Sequence, residues 1–150
     1  MEQLFYSIQQ HIATNMSVLS TIDEDYGQLQ TDEDTYPVTF PCVLINAEQT
    51  DWESLSGGVQ RGKCTVVITL GIDCYDDTRY GSGTEEKAVE RQQMASELNR
   101  LLHCKRFEGA AGPLVRKKSR NYSLPGGIKV YEMRYALIPQ HFDLTLFISS

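Results

Sequence analysis

The sequence predicts an α+β fold: a mostly antiparallel β-sheet with an N-terminal helix and a central helix packed on it. Three observations carry this. Apolar residues recur at helical spacing near residues 2–20 and 83–104. Elsewhere they alternate with period two or form short apolar runs bounded by turn residues. The predicted strands come in hairpin-like pairs rather than singly between helices, which favours antiparallel pairing over a doubly wound parallel sheet.

The first helix rests on Leu4, Ile8, Ile12, Met16 and Leu19, which step by four and three and line one face, widened by Phe5. The acidic runs "IDEDYG" (22–27) and "TDEDTY" (31–36) read as solvated loop, with a docking or cation site as the alternative. Pro37 and Pro41 in "TYPVTFPC" forbid helix and suit an extended approach to a strand. "CVLINAE" (42–48) reads as that strand, buried on both faces near Val43–Ile45. The polar stretch 49–62, with Gly57 and Gly58 adjacent, reads as a long hairpin tip.

"KCTVVITLGIDCYD" (63–76) is the clearest strand. Cys64, Val66, Ile68, Leu70, Ile72 and Cys74 occupy one face and must lie on the core. Residues 76–83 read as loop. The second helix spans 83–104, with Ser82 or Thr84 as cap and Glu85 at the capping-box spacing from Ser82. Ala88, Ala95, Leu98 and Leu102 form its stripe; Lys105 and Arg106 suit its negative end, and Gly109 stops the run. "PLVRKKSRNY" reads as a strand with a basic outer face, "SLPGG" as a turn, and 128–138 as a strand. In that last strand Tyr131, Met133, Tyr135 and Leu137 face one side, Glu132 and Arg134 the other. "FDLTLFIS" (142–149) reads as a final edge strand.

The 150 residues fit a single domain, 1–150. A domain of this size buries roughly 68–70% of its unfolded surface and folds without staples. A net charge of −6 argues against wholesale nucleic-acid or membrane binding. No segment approaches the ~18 apolar residues of a membrane span. The start, "MEQLFYSIQQ", carries an acid where a signal peptide has bases, so the chain is expected in a cytoplasm with reduced thiols.

No catalytic signature is present. Cys42, Cys64, Cys74 and Cys104 are too widely spaced for a zinc site; Cys42, Cys64 and Cys74 read as core residues, and no cofactor or metal is expected. His103–Cys104 is the tempting nucleophile pair, but helix neighbours point about 100° apart. There is no G-x-S-x-G and no phosphate-binding G-x-x-x-x-G-K-[ST]. "YGSGTEE" resembles a phosphate turn, but it lacks a lysine and its acids repel phosphate. Asp73, Asp76 and Asp77 could supply only part of a cation site.

Two surface features remain. Arg116, Lys117, Lys118 and Arg120 form a basic patch, with Arg116, Lys118 and Arg120 expected on one strand face. Three readings stay open: a solvated strand, contact with an acidic protein surface, or nucleic acid without the usual interleaved aromatics. Trp52, the only tryptophan, sits in the polar tip and suits either an interface anchor or a side chain folded over the sheet edge.

The amphipathic first helix, "YPVTFPCVLIN" leading into a strand, the polar hairpin, "CTVVITLGIDCYD", "EEKAVERQQMASELNRLLHC" and "GIKVYEMRYALI" together resemble, in layout, the tail-terminator family of bacteriophages and prophages. The resemblance spans almost the whole chain and carries no motif residues. It implies a non-enzymatic structural protein of a head–tail joining kind, assembled as a homo-oligomeric, hexameric ring. Such a ring caps the tail-tube protein and meets the head-connector protein, and would touch nucleic acid only through its lumen. The place implied is the virion, or the bacterial cytoplasm during assembly. Trp52, Arg116, Lys117, Lys118, Arg120, Glu132 and Arg134 are the expected interface residues, chosen on their chemistry. Other neck or tail-tube proteins share the layout. A small enzyme using Cys104 and a nucleic-acid module centred on 116–120 are the readings from other classes.

Overall fold

The computed structural model describes residues 2–33, 35–75, 78–137 and 142–143. Helix α1 (Glu2–Asn15) precedes strands β1 (Thr21–Glu24), β2 (Cys42–Ser54) and β3 (Val59–Asp73). Helix α2 (Glu86–Leu102), β4 (Val115–Leu124), β5 (Ile128–Leu137) and the short β6 (Phe142–Asp143) follow. The strands form one sheet in the order β1-β2-β3-β5-β4, with β6 also paired to β3. All pairings are antiparallel except β1–β2, which is parallel. The α+β expectation is met.

Both helices lie on one face. Leu4, Ile8 and Ile12 of α1 and Leu98, Leu101 and Leu102 of α2 are buried against Val43, Ile45, Val66, Ile68, Leu70, Met133 and Tyr135. Helix α1 stops at Asn15, five residues short of the expected end. There the Asn15 amide bonds back to the His11 carbonyl, competing with the helix ladder. The chain then enters β1, a strand in a stretch that reads as acidic loop.

Helix α2 starts at Glu86 without a side-chain cap. Ser82 and Glu85 do meet, but through their side chains (3.2 Å), and the Glu85 carboxylate accepts from the Gly83 N–H (2.9 Å). The carboxylate thus fills the turn that resembles a phosphate loop. At the other end Cys104 takes a left-handed φ of 65°. Its N–H donates to the Leu114 carbonyl, and the Leu114 N–H to the Lys105 carbonyl. These two bonds tie the helix end to the start of β4.

The opposite sheet face carries a second, smaller core. Leu29, Cys42, Leu44, Ile128 and Val130 are buried there, with Tyr36, Val38, Phe40, Tyr122 and Leu124 packed around them. Segment 25–41 is the cover: the Tyr36 hydroxyl donates to the Pro125 carbonyl (2.7 Å) on the far side of the sheet. The stretch expected to be solvated loop followed by an extended approach to β2 therefore covers this face through Leu29, Tyr36, Val38 and Phe40.

β2 and β3 run well past the body of the sheet. Their pairing continues from Thr50↔Cys64 to Ser54↔Gln60 and makes an arm closed by a 3-10 turn at Ser56–Gly58. The long hairpin is as expected, but most of 49–62 is strand rather than tip. Strand β6 pairs with the arm at Val59 and Gln60; the remainder of the edge strand expected over 142–149 lies outside the described residues.

Candidate assembly interface

Trp52 stands on the arm, opposite Gly62. A Cβ on Gly62 would lie 2.9 Å from the indole, so only glycine lets the ring lie flat across the neighbouring strand. Trp52 is nonetheless 47% exposed, and Leu55 at the turn is 37% exposed.

The basic patch is split by a β-bulge between Arg116 and Lys118. Arg116 pairs with Tyr135 and Lys118 with Arg134, and residues opposite one another share a sheet face. Tyr135 lies on the helix face and Arg134 on the other. The expectation that Arg116, Lys118 and Arg120 share one face is therefore corrected. Arg116 belongs to the helix side, with its guanidinium 3.9 Å from the Met133 sulfur, and Lys118 and Arg120 belong to the opposite side. Lys117, Lys118 and Arg120 are exposed on the outermost strand.

Glu132 and Arg134 do lie on the face away from the helices. Glu132 is buried, its side chain only 8% exposed. It accepts two hydrogen bonds from Arg120, both 3.1 Å, and pairs with Arg134 at 3.3 Å. Arg134 in turn grips Glu48 with contacts of 2.7 and 2.8 Å. The hydrogen bonds that Arg120 and Arg134 donate to these carboxylates hold both guanidinium pKa values above the ordinary arginine range. The four side chains border a cleft of about 400 Å³ beside segment 25–41. Sequence reasoning did not find Glu48 as a member of this network: its partner stands 86 positions away.

The residues considered for chemistry are placed structurally. Cys42 and Cys64 are buried, and burial pushes the Cys42 thiol up to about 11. Cys104 is exposed but lies past the helix end, and the His103 Nδ1 accepts the Arg116 N–H at 3.0 Å. Asp76 and Asp77 fall outside the described residues, and among those described no three His, Cys, Asp or Glu converge as metal ligands. Among the described residues no helix is long and apolar enough to cross a membrane.

No protein-family model matches the chain, and no curated protein matches it by sequence. Among solved structures the fold is similar to a chain of the "Virion of native gene transfer agent (GTA) particle". The TM-score is 0.64 at 10% identity, over 92% of this chain and 95% of that one. The likeness shows a shared fold across nearly the full length of both chains.

Proposed function

We propose that this chain is a structural subunit of a phage or phage-like particle, of the tail-terminator kind, assembling as a ring that caps a tail tube and joins it to a head connector. The observation that supports it is the likeness, nearly end to end, to a chain of a gene transfer agent virion. A match to a chain of another architecture would leave long segments unpaired. Here the likeness covers 92% of this chain and 95% of that one.

The surface chemistry fits repeated contact with copies of itself or other particle proteins. Trp52 on the arm is a large aromatic held in place by Gly62 and half open to solvent, the profile of an interface anchor. Arg116, Lys117, Lys118 and Arg120 bring positive charge to one border of an acidic protein. Arg134 and Arg120 contribute their outer edges to the same surface, with Glu132 beneath them as the buried anchor. A contact between different patches of identical subunits is heterologous and closes into a ring when its rotation permits.

Light scattering over a range of concentrations tests the reading. A discrete oligomer near six subunits is expected (the number is implied by the tail-terminator resemblance). A strict monomer at every concentration, including in the presence of tail tubes, would overturn it.

A further inference from the structure

The sheet ends in two borders of opposite charge. The strand order puts β1 at one end and β4 at the other. Arg116, Lys117, Lys118 and Arg120 stand on β4, and Asp23 and Glu24 close β1. Lys117, Lys118 and Glu24 are exposed. Neither they nor Asp23 form an ion pair among the described residues. Within one copy the two borders lie four strand spacings apart, about 19 Å along the sheet, so they do not neutralise each other.

The register sets the two borders level. Asp23 stands opposite Leu44, Leu44 opposite Thr69, Thr69 opposite Glu132, and Glu132 opposite Arg120. Residues opposite one another share a sheet face, so this row crosses the face away from the helices with an acid at one end and a base at the other. The helix face repeats the arrangement. Glu24 lies there opposite Ile45, and Arg116 lies there opposite Tyr135. The contact these borders offer is one of side chains rather than of backbone. The Ile22 carbonyl accepts from Gln9 Nε2 (2.8 Å), the Glu24 N–H donates to Asp23 Oδ1 (2.7 Å), and the Glu24 carbonyl accepts from Gln28 Nε2 (2.9 Å). On β4 the bulge and the lysines deter strand addition.

We infer that the basic β4 border of one copy docks on the acidic β1 border of the next, strands along the ring axis, with Arg120 and Lys118 meeting Asp23 on one face and Arg116 meeting Glu24 on the other. The inference rests on the self-assembly proposed above and names the surface that receives the basic border. A ring closed by rotation has no rise from copy to copy, so groups at equal height meet. The row from Asp23 to Arg120 then places base against acid without a shift. The acidic border also carries aromatic surface. Tyr26, two residues past β1, is exposed, as is Tyr6, one helical turn from the Gln9 that caps β1. Tyrosine and arginine are the side chains that protein interfaces concentrate.

Carbodiimide, which joins an amine to a carboxylate in direct contact, tests this on the full chain without a substitution. A mixture of heavy- and light-isotope protein should yield peptides linking Lys117 or Lys118 of one copy to Asp23 or Glu24 of another. Two full-length charge reversals add a second readout, Lys117→Glu with Lys118→Glu and Asp23→Lys with Glu24→Lys. Each alone sets like charges across the contact and should weaken assembly at least about tenfold. An equimolar mixture should recover it, in rings where the two variants alternate, because every acidic border then meets a basic one. Melting curves like the parent's separate lost contact from lost folding. Cross-links between copies of a parent that never reaches a ring would uphold the border contact and sink the ring. Parent-like rings from both variants, with no cross-link, would sink the contact and leave the ring. A parent that gives neither rings nor cross-links would sink both.

Discussion

β2 and β3 each occupy two settings. In the body of the sheet Val43, Leu44, Ile45, Val66, Ile68 and Leu70 are buried, between two helices on one side and segment 25–41 on the other. In the arm β2 and the turn are exposed from Asp51 to Gly58, and β3 is half-buried at Val59–Arg61. A two-stranded ribbon is marginal in water by itself. The body holds the fold, and the arm keeps its shape through contacts between its own two strands, the Trp52–Gly62 contact and the Arg61–Glu53 pair at 2.7 Å. Regions that contribute little to stability yet keep a defined shape are the ones free to serve contact.

The sharpest way to break the comparison is a matched pair of truncations. Ile68→Ala in the body should cost about 2–5 kcal/mol in denaturant unfolding, because the side chain is fully buried. Leu55→Ala in the arm should stay within about 0.5 kcal/mol. Equal losses would show that the arm belongs to the cooperative core.

Next in size is the ion network at the border between the two regions. Removing both guanidinium groups, Arg120→Ala with Arg134→Ala, leaves the buried Glu132 carboxylate uncompensated and should cost about 1–3 kcal/mol. Glu132→Leu should be close to neutral, because it removes the buried charge itself and leaves Arg120 in water and Arg134 half-exposed and still paired with Glu48. A large loss for Glu132→Leu alone would make the network a source of stability in itself.

Trp52→Ala separates contact from folding. Its melting curve should move by no more than about 1 kcal/mol, while self-association should weaken about tenfold or more. Thiol labelling grades the body directly and also tests the enzyme reading. Cys104 should react at the rate of an ordinary exposed thiol, and Cys42, buried and pushed up to about 11, should stay unlabelled until unfolding. Unusually fast labelling of Cys104 near neutral pH would favour a nucleophile.

The smallest expected effect is a pH slope. Burial, then the charge of Lys105, lowers the His11 pKa, while its hydrogen bond with the Leu101 carbonyl opposes them. A lowered folded value means that the unfolded chain binds the proton first. The His11 contribution is therefore complete above about pH 6.5 and is lost as pH falls toward the folded pKa. His11→Gln should flatten that part of a stability-against-pH curve.

These contrasts also show what the sequence could convey. β3 was legible because its apolar residues alternate across eleven positions, and α2 because Leu98 and Leu102 recur at helical spacing. β1 was not. Thr21–Glu24 offers one apolar residue, Ile22, and becomes a strand through hydrogen bonds to a β2 that lies 21 positions onward. The hairpin was legible, but how far its strands run was not, because a largely exposed ribbon has no apolar period to read. Val67 and Thr69 lie on the face opposite the apolar set of β3, yet both are buried, because charged side chains and residues of the 25–41 stretch lie over that side. Of the candidate interface, the residue types were legible but their grouping was not. One bulge at Lys117 moves Arg116 to the other side of the sheet, and nothing in "VRKKSRNY" announces it.

β3 touches three other strands: β2 along its whole length, β5 over Cys64–Asp73, and β6 at Val59–Gln60. Its inner amides cannot be freed by peeling away one neighbour. Val66 to Leu70 should therefore exchange with deuterated solvent only through complete unfolding, at a rate that tracks global stability. Along the same strand, the amides of the arm should exchange by local opening and be insensitive to mild denaturant. A single strand would then record both the tightest and the loosest motions of the molecule, and assembly should slow only the second set.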